Sequence, residues 1–220
     1  MLTKFKDIHK GEVGLIIGNG PSLADCPREL LDKYITFGAN KIYLLDGFTP
    51  NYYTIIDEHM LHNCAPHLNG DYQPDAMFIR RPYPIPGCYH INALVHPGWS
   101  YNINKAVVMG GTVTYGNLQI AHYMGIRTAI LVGVDHDYSG GLAGAPGGAI
   151  FQADLEEDPD HFHPDYFKVG DFYAAPELEG SERYYAIARM VFNEDGGKIF
   201  NLTPGTKEKA FEKGTYKKWL

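Results

Sequence analysis

The sequence predicts an α/β fold in which a doubly wound, mostly parallel sheet of the Rossmann-like type is covered by helices on both faces. Three observations predict this fold. Short apolar runs of strand length alternate with segments that suit helices through the first half of the chain. The run Thr128–Val134 is apolar almost throughout, which is typical of a strand buried on both faces. It closely follows the helix-like segment Val113–Met124, and a helix followed by such a strand indicates a parallel βαβ unit.

Local signals place the remaining elements along the chain. The predicted strands are the apolar runs Gly14–Ile17, Ile35–Ala39, Tyr52–Asp57, Ala76–Arg80, Thr128–Val134 and Lys198–Leu202. The predicted helices are Arg28–Tyr34, which Pro27 introduces, Val113–Met124, which Gly125 ends, and Ser181–Asn193, for which Ser181 is the N-cap. Prolines make Arg81–Cys88 an irregular surface loop, and the polar, lysine-rich segment Glu208–Leu220 is expected to be a solvated final turn.

Length and composition indicate one globular domain, residues 1–220. A chain of 220 residues with 45% hydrophobic and 20% charged residues can bury one sizeable core. Its formal net charge of −7 argues against a nucleic-acid partner. No apolar stretch reaches the roughly 20 residues of a membrane span, and no signal-peptide pattern is present. The three cysteines form no zinc or redox motif, so we expect a reducing, cytoplasmic location.

The regular pattern stops after Asp135. Residues 139–149 are rich in glycine, and residues 152–179 are acidic, aromatic and interrupted by prolines. Long irregular segments inside a compact domain are usually lids or binding loops. We therefore expect residues 139–180 to be an insertion that orders over a bound ligand.

A glycine-rich turn follows the first predicted strand, with the sequence Gly18-Asn19-Gly20-Pro21-Ser22. In open parallel sheets such a turn commonly holds a nucleotide, and its amides form a site for phosphate. Asn19 adds a side-chain amide that a plain turn does not require. The alternative is a tight connection from strand to helix with no ligand.

Polar residues stand at the ends of four predicted strands: Asn19, Asn40, Asp57 and Asp135. Because ligands bind beyond the carboxyl ends of the strands in such sheets, these residues are expected to form one polar rim. Gly111-Thr112 precedes the helix at Val113 and forms a second potential anion site, or else a simple helix cap.

Two histidines, His161 and His163, lie in the aromatic part of the insertion. In an extended segment both would point to the same side, and either could act as a general base. A metal site that also uses Asp135, His136 or Asp137 is an alternative, although no recognised four-ligand spacing is present. The alternative without a catalytic or metal-binding role is a polar loop at the surface.

The chain resembles the family named for 6-hydroxymethylpterin diphosphokinase (the MptE-like domain), which also occurs in motility accessory factors that glycosylate flagellin. More distantly it is similar to sialyltransferases of the Campylobacter type. Five blocks carry the resemblance, which extends from Gly14 to about Phe211: IIGNGPSL at Ile16–Leu23, TFGANKIY at Thr36–Tyr43, GGTVTYG at Gly110–Gly116, LVGVDHDYS at Leu131–Ser139 and HFHPDYF at His161–Phe167.

The sialyltransferase resemblance implies a role for each block. Asn19, Gly20, Ser22 and Asn40 would bind the CMP part of a CMP-sugar donor, with Gly18 and Asp135 beside them. Asp57 stands where those enzymes have an Asn, and Gly111-Thr112 replaces their serine-glycine pair. Tyr138 is the nearest counterpart of a tyrosine that holds the donor phosphate. His161 or His163 would correspond to the lid histidine that acts as general base.

Three functions follow, in order of preference. The first is a glycosyltransferase that moves a sugar from a nucleotide donor to a glycan or protein hydroxyl by direct displacement, with no cofactor. The second is pyrophosphate transfer from ATP to a pterin alcohol, with Mg²⁺ held by Asp57, Asp135 and Asp137; any ATP site would not be of the P-loop type. The third is a non-catalytic nucleotide-binding module. The sequence leaves the oligomeric state open, a homo-oligomer included.

Overall fold

A single eight-stranded parallel sheet forms the centre of the molecule in the computed structural model, which describes residues 2–68, 72–82, 85–139, 145–154 and 156–220. The strands are β1 (Val13–Ile17), β2 (Ile35–Ala39), β3 (Tyr52–Ile55), β4 (Ala76–Arg80), β5 (Tyr89–Ile91), β6 (Ala93–Leu94), β7 (Val107–Val108), β8 (Thr128–Val132), β9 (Ile150–Gln152), β10 (Phe172–Ala174), β11 (Lys198–Asn201) and β12 (Glu212–Lys213). The helices are α1 (Arg28–Lys33), α2 (Glu58–Cys64), α3 (Val113–Tyr123), α4 (Leu178–Glu194) and α5 (Tyr216–Trp219).

The strand order of the sheet is β12-β11-β8-β1-β2-β3-β4-β5, and every neighbouring pair is parallel. The chain first runs outward from β1 to β5 and then returns to the other side of β1 with β8. The order of the strands therefore reverses between β1 and β8, which is where doubly wound sheets bind their ligands. Two small two-stranded sheets, β6-β7 and β9-β10, lie outside the main sheet.

Helices cover both faces of the sheet, as the sequence predicts. The side chains of β1 alternate between the two layers, because successive residues of a strand point to opposite faces. Ile16 packs in one core cluster with residues of α3 and α4, whereas Leu15 and Ile17 pack in a second cluster with residues of α1 and α2. The predicted fold class is confirmed.

Several element boundaries differ from the sequence prediction. The third strand ends at Ile55 because Asp57 is already the N-cap of α2. The strand predicted as Thr128–Val134 ends at Val132, because Gly133 turns the chain with φ +64°. The helix predicted from Ser181 begins at Leu178, so the prediction of a Ser181 N-cap is wrong; the Ser181 amide and hydroxyl both donate to the Glu177 carbonyl. Gly125 follows the end of α3, as expected.

The end of the chain is the largest departure. Residues 208–220 are not a solvated turn: β12 pairs with β11, and Phe211 and Glu208 are buried. The segment Arg81–Cys88 contains no helix or strand in its described residues, 81–82 and 85–88, as predicted. In the predicted lid, residues 140–144 and 155 lie outside the described ranges. Among the described helices, none combines the length and apolarity that a membrane crossing requires.

Candidate functional site

A cavity of about 320 Å³ opens beyond the carboxyl ends of β1 and β8, at the point where the strand order reverses. Most of the predicted site residues line it: Gly18, Asn19, Gly20, Asn40, Asp57, Gly111, Thr112, Asp135, Asp137, Tyr138 and His161. Ser22 and His163 are not among the lining residues. The insertion forms one wall, since Tyr166, Phe167 and Tyr173 also face the cavity.

The glycine-rich turn after β1 is built differently from the predicted phosphate cradle. The amide of Gly18 donates to the carbonyl of Val132, and that of Gly20 to the carbonyl of Gly133. A Cβ at Gly18 would lie 2.3 Å from the Gly133 oxygen, so this glycine allows the two backbones to touch. The amide of Ser22 donates to Asp135 at 3.3 Å. These amides are used within the protein, which corrects the expectation that they hold phosphate.

Asn19 is the group that this turn presents to the cavity. Its side-chain Nδ2 donates to the carbonyl of Ala39 at 3.2 Å, which fixes the orientation of the amide. Its Oδ1 is buried and has no hydrogen-bond partner among the described residues. Asn19 as a whole is only 9% exposed. Because buried polar atoms are almost always hydrogen-bonded, Oδ1 is an acceptor suited to a ligand O–H or N–H.

Asn40 repeats this arrangement at the end of β2. It has a left-handed backbone conformation with φ +53°, which asparagine tolerates better than most residues. Its Oδ1 is also buried and unpartnered within the described part of the chain. Asn19 and Asn40 both line the cavity, so two neighbouring strands each contribute an asparagine whose buried amide oxygen lacks a donor in the described part of the chain.

The N-terminus of α3 forms the second predicted anion site. Thr112 is its N-cap, and the Thr112 hydroxyl oxygen accepts from the amide of Thr114 at 3.3 Å. The helix geometry leaves the amide of Val113 without an intrahelical acceptor, and residues 111–114 all line the cavity. An eleven-residue helix therefore directs its positive dipole end into the cavity.

The three predicted carboxylates for magnesium are each engaged by the protein itself. Asp57 accepts from the Met60 amide at 2.9 Å as the cap of α2. Asp135 accepts from the Ser22 hydroxyl at 2.8 Å, and Asp137 is paired with the Lys207 ammonium at 2.7 Å. Burial raises the pKa of Asp135, against the lowering effect of the Ser22 hydrogen bonds.

No group of three or more metal-ligating side chains comes together in the described ranges, so these residues do not fit a resident Mg²⁺. The proposed metal ligand His136 also lines the cavity, and its Nε2 makes no hydrogen bond within the described residues. Its Nε2 lies 3.3 Å from Glu182, its ring packs near Tyr185, and burial lowers its pKa.

Of the two histidines of the insertion, His161 is the one that lines the cavity. Its Nδ1 lies 2.9 Å from Oδ2 of Asp158, and its ring stacks on Tyr166 with centroids 3.9 Å apart and an interplanar angle of 2°. The amide of the next residue, Phe162, donates to the carbonyl of Asn19 at 3.0 Å and joins this loop to the turn after β1.

His163 lies away from the cavity. Its Nδ1 accepts from the amide of Asp165 at 3.1 Å. The expectation that both histidines point to one side is wrong, because residues 158–167 form bends and turns and not an extended strand. Asp158 is a site residue that the sequence reasoning missed; the available signal was a carboxylate three residues before a histidine in a turn-rich segment.

Tyr138 completes the wall next to His161, with its ring centroid 6.0 Å from that of the imidazole. Burial raises the pKa of Tyr138 above its ordinary value, so the hydroxyl stays a neutral donor at physiological pH. The described lining residues also include five carboxylates, Asp57, Asp135, Asp137, Asp160 and Glu177, and no lysine or arginine. A ligand with several negative charges would be repelled by these carboxylates.

Comparison with known proteins agrees at the level of the fold. The chain shares its fold with a bacterial sialyltransferase. The structure of the sialyltransferase CstII from Campylobacter jejuni in complex with a substrate analogue, cytidine-5'-monophosphate, aligns with a TM-score of 0.53 and 13% identity, over 93% of this chain and 85% of that chain. A second structure of CstII, in complex with CMP-3FNeuAc, aligns with a TM-score of 0.46 and 14% identity, over 92% and 85% of the two chains.

At this identity the similarity shows the fold alone. No family model and no curated protein matches the sequence. The resemblance to the diphosphokinase family therefore stays a prediction, whereas the α/β fold, which the chain shares with the CMP-bound CstII structure, is established.

Proposed function

We propose that this chain is a glycosyltransferase that takes a sugar from a nucleotide donor carrying a single phosphate, of the CMP-sugar type, and transfers it to a hydroxyl acceptor. One observation carries the proposal. The cavity brings together Asn19, whose Oδ1 has no donor among the described residues, the N-terminus of α3 and the imidazole of His161, and its described lining holds no lysine or arginine. The CMP ligand of the structural neighbour CstII is of this class.

The nucleoside is assigned to the β1 and β2 side of the cavity. Oδ1 of Asn19 and Oδ1 of Asn40 are acceptors, so they suit ribose hydroxyls or the exocyclic amine of a base and would repel phosphate oxygens. The phosphate is assigned to the N-terminus of α3, where the Val113 amide and the helix dipole favour an anion. Tyr138, which lines the same cavity, supplies a hydroxyl as a further donor.

The proposed reaction is a direct displacement at the anomeric carbon. His161 accepts the proton of the acceptor hydroxyl as that oxygen forms its bond to the sugar. The bond from the anomeric carbon to the phosphate oxygen breaks, and the electron pair leaves with the nucleotide. The α3 amides and the Tyr138 hydroxyl stabilise the charge that develops on the departing phosphate. These steps require no metal.

Pyrophosphate transfer is less well supported. A triphosphate brings several negative charges into a lining that holds five carboxylates. The three carboxylates that would hold its Mg²⁺ already have protein partners. Activity with ATP and Mg²⁺ would assign the chain to pyrophosphate transfer. Nucleotide binding without turnover would assign it to the non-catalytic nucleotide-binding modules.

The test is the release of CMP from a CMP-sugar, with water or a panel of glycans as acceptor, by the wild type and by two matched variants. His161→Ala is expected to lower kcat by about 10²- to 10⁴-fold, the usual contribution of general acid–base catalysis. His163→Ala changes the second histidine of the same loop and is expected to leave kcat within a few fold. Equal effects of the two substitutions, or wild-type turnover in the double variant, would contradict the assignment of His161.

A further inference from the structure

We propose that Asp158 is a positioning residue for His161. The Asp158 carboxylate holds the imidazole in the tautomer that carries its hydrogen on Nδ1, so that Nε2 is the base. The catalytic consequence rests on the proposed function above, whereas the tautomer does not. Neither Asp158 nor a fixed tautomer follows from the sequence motifs.

The carboxylate of Asp158 is itself held in place on both oxygens. Oδ2 lies 2.9 Å from Nδ1 of His161, and Oδ1 accepts from the amide of Asp160 at 2.9 Å. The amide of Asp158 donates to the carbonyl of Pro164 at 2.8 Å, which closes the loop around the histidine. The side chains of Asp158 and His161 are 6% and 12% exposed, so water competes little for this contact.

The plane of the imidazole is fixed by aromatic packing. One face stacks on Tyr166, which is only 2% exposed and is closely packed in the core. The edge of Phe167 packs against the ring with centroids 5.3 Å apart. The amide of Phe162, bonded to the Asn19 carbonyl, sets the position of the loop relative to the cavity. Orientation and position of the ring are thus determined by different neighbours.

The chemistry of the two partners then decides the tautomer. An ionised carboxylate only accepts hydrogen bonds, so the hydrogen between Asp158 and His161 belongs to Nδ1. The lone pair of Nε2 remains free to take a proton, and the imidazolium that results is paired with Asp158. His163 offers a built-in contrast, because its Nδ1 accepts from a backbone amide and its neutral form must carry the hydrogen on Nε2.

The tautomers are measured by ¹⁵N NMR of the histidine rings near pH 9, well above the ordinary histidine pKa of about 6.5. We expect the hydrogen on Nδ1 in His161 and on Nε2 in His163. Asp158→Asn places an amide that can donate to Nδ1, so the His161 signals should shift towards the opposite tautomer. Asp165→Asn removes an exposed carboxylate of the same loop and should leave both histidines unchanged.

Turnover of a CMP-sugar gives the second readout. D158N is expected to lower kcat about 100-fold with an unchanged KM for the donor, and Asp158→Glu should recover part of the loss. The double variant D158N/H161A should be no slower than H161A alone, because the two residues act as a unit. Wild-type kcat in D158N would overturn the proposal.

The proposal also fails if wild-type His161 carries its hydrogen on Nε2, a result that needs no variant and therefore does not depend on D158N folding. Failure of the chain to bind any nucleotide would remove the proposed function while leaving the tautomer assignment intact. The two failures are thus distinguishable.

Discussion

Replacing Glu208 with alanine removes the acceptor that attaches the last part of the chain to the sheet. Glu208 is 1% exposed. Its Oε1 accepts from the amides of Ala210 and Phe211, and its Oε2 accepts from the Asn201 side-chain amide at 3.1 Å and from the Lys213 ammonium at 2.6 Å. In Glu208→Ala all four donors lose this partner.

The cost can be worked out from the exposure of these donors. The amides of Ala210 and Phe211 stay buried without an acceptor, and each unsatisfied buried donor costs about 1 kcal/mol or more. The Asn201 amide keeps the Val134 carbonyl and the Thr206 hydroxyl as acceptors, and the Lys213 side chain is 44% exposed, so these two donors add little. We expect a loss of about 2–3 kcal/mol in the free energy of unfolding. At about 2–4 °C per kcal/mol for a chain of this size, Tm should fall by roughly 4–12 °C.

Urea unfolding and thermal melts of the wild type, Glu208→Ala and Glu212→Ala measure this difference. Glu212 is the matched control, because it is 59% exposed and lies 3.8 Å from the exposed Lys198 ammonium. Its loss should change stability by less than about 1 kcal/mol. If Glu208→Ala melts within 2 °C of the wild type, or no lower than Glu212→Ala, the buried acceptor does not hold the end of the chain.

Two further predictions concern the packing beneath the site and the stability in acid. Gly18→Ala should destabilise the protein by about 3 kcal/mol in urea unfolding, because the new Cβ would lie 2.3 Å from the Gly133 backbone oxygen. Gly116→Ala is the control. Its Cβ would lie 3.1 Å from the terminal methyl group of Ile56, which can move, so the free energy of unfolding should change little. Equal losses in the two variants would refute this packing argument. Burial, together with Arg127, lowers the pKa of His122, so the unfolded chain takes up this proton at a higher pH than the folded one. The free energy of unfolding should therefore be highest above about pH 6.5 and fall as the pH drops, and it should fall less in His122→Gln. The same dependence on pH in the wild type and in His122→Gln would contradict this role of His122.

The sequence was sufficient to predict the features that depend on local pattern. The strands Ile35–Ala39 and Ala76–Arg80 have the predicted boundaries, because each is an apolar run between clear breaks. The polar residues at the ends of β1, β2 and β8 do line one cavity, because the carboxyl ends of parallel strands meet at one edge of the sheet.

The features that it missed depend on partners far away in the chain. The amides of Gly18 and Gly20 are unavailable to a ligand because their acceptors lie more than 110 residues later, at the last residue of β8 and at the residue that follows it. Glu208 appeared to be an exposed charge, since nothing in the local sequence shows that Asn201 and two amides converge on it. The choice between the two histidines required the turns of residues 158–167, which alternation of side chains in a strand does not describe.

In the proposed function, the cavity between β1 and β8 binds a nucleoside monophosphate through the side-chain amide of Asn19. Isothermal titration of CMP into the wild type, Asn19→Ala and the control Asn193→Ala, which changes an exposed asparagine, measures this binding. We expect CMP to bind the wild type and the control with equal affinity. Asn19→Ala should bind CMP about tenfold more weakly, because the loss of one hydrogen bond costs about 1.4 kcal/mol. The wild type should bind CMP more tightly than ATP with Mg²⁺. No measurable binding of CMP to the wild type, or equal affinity in Asn19→Ala, would contradict the account.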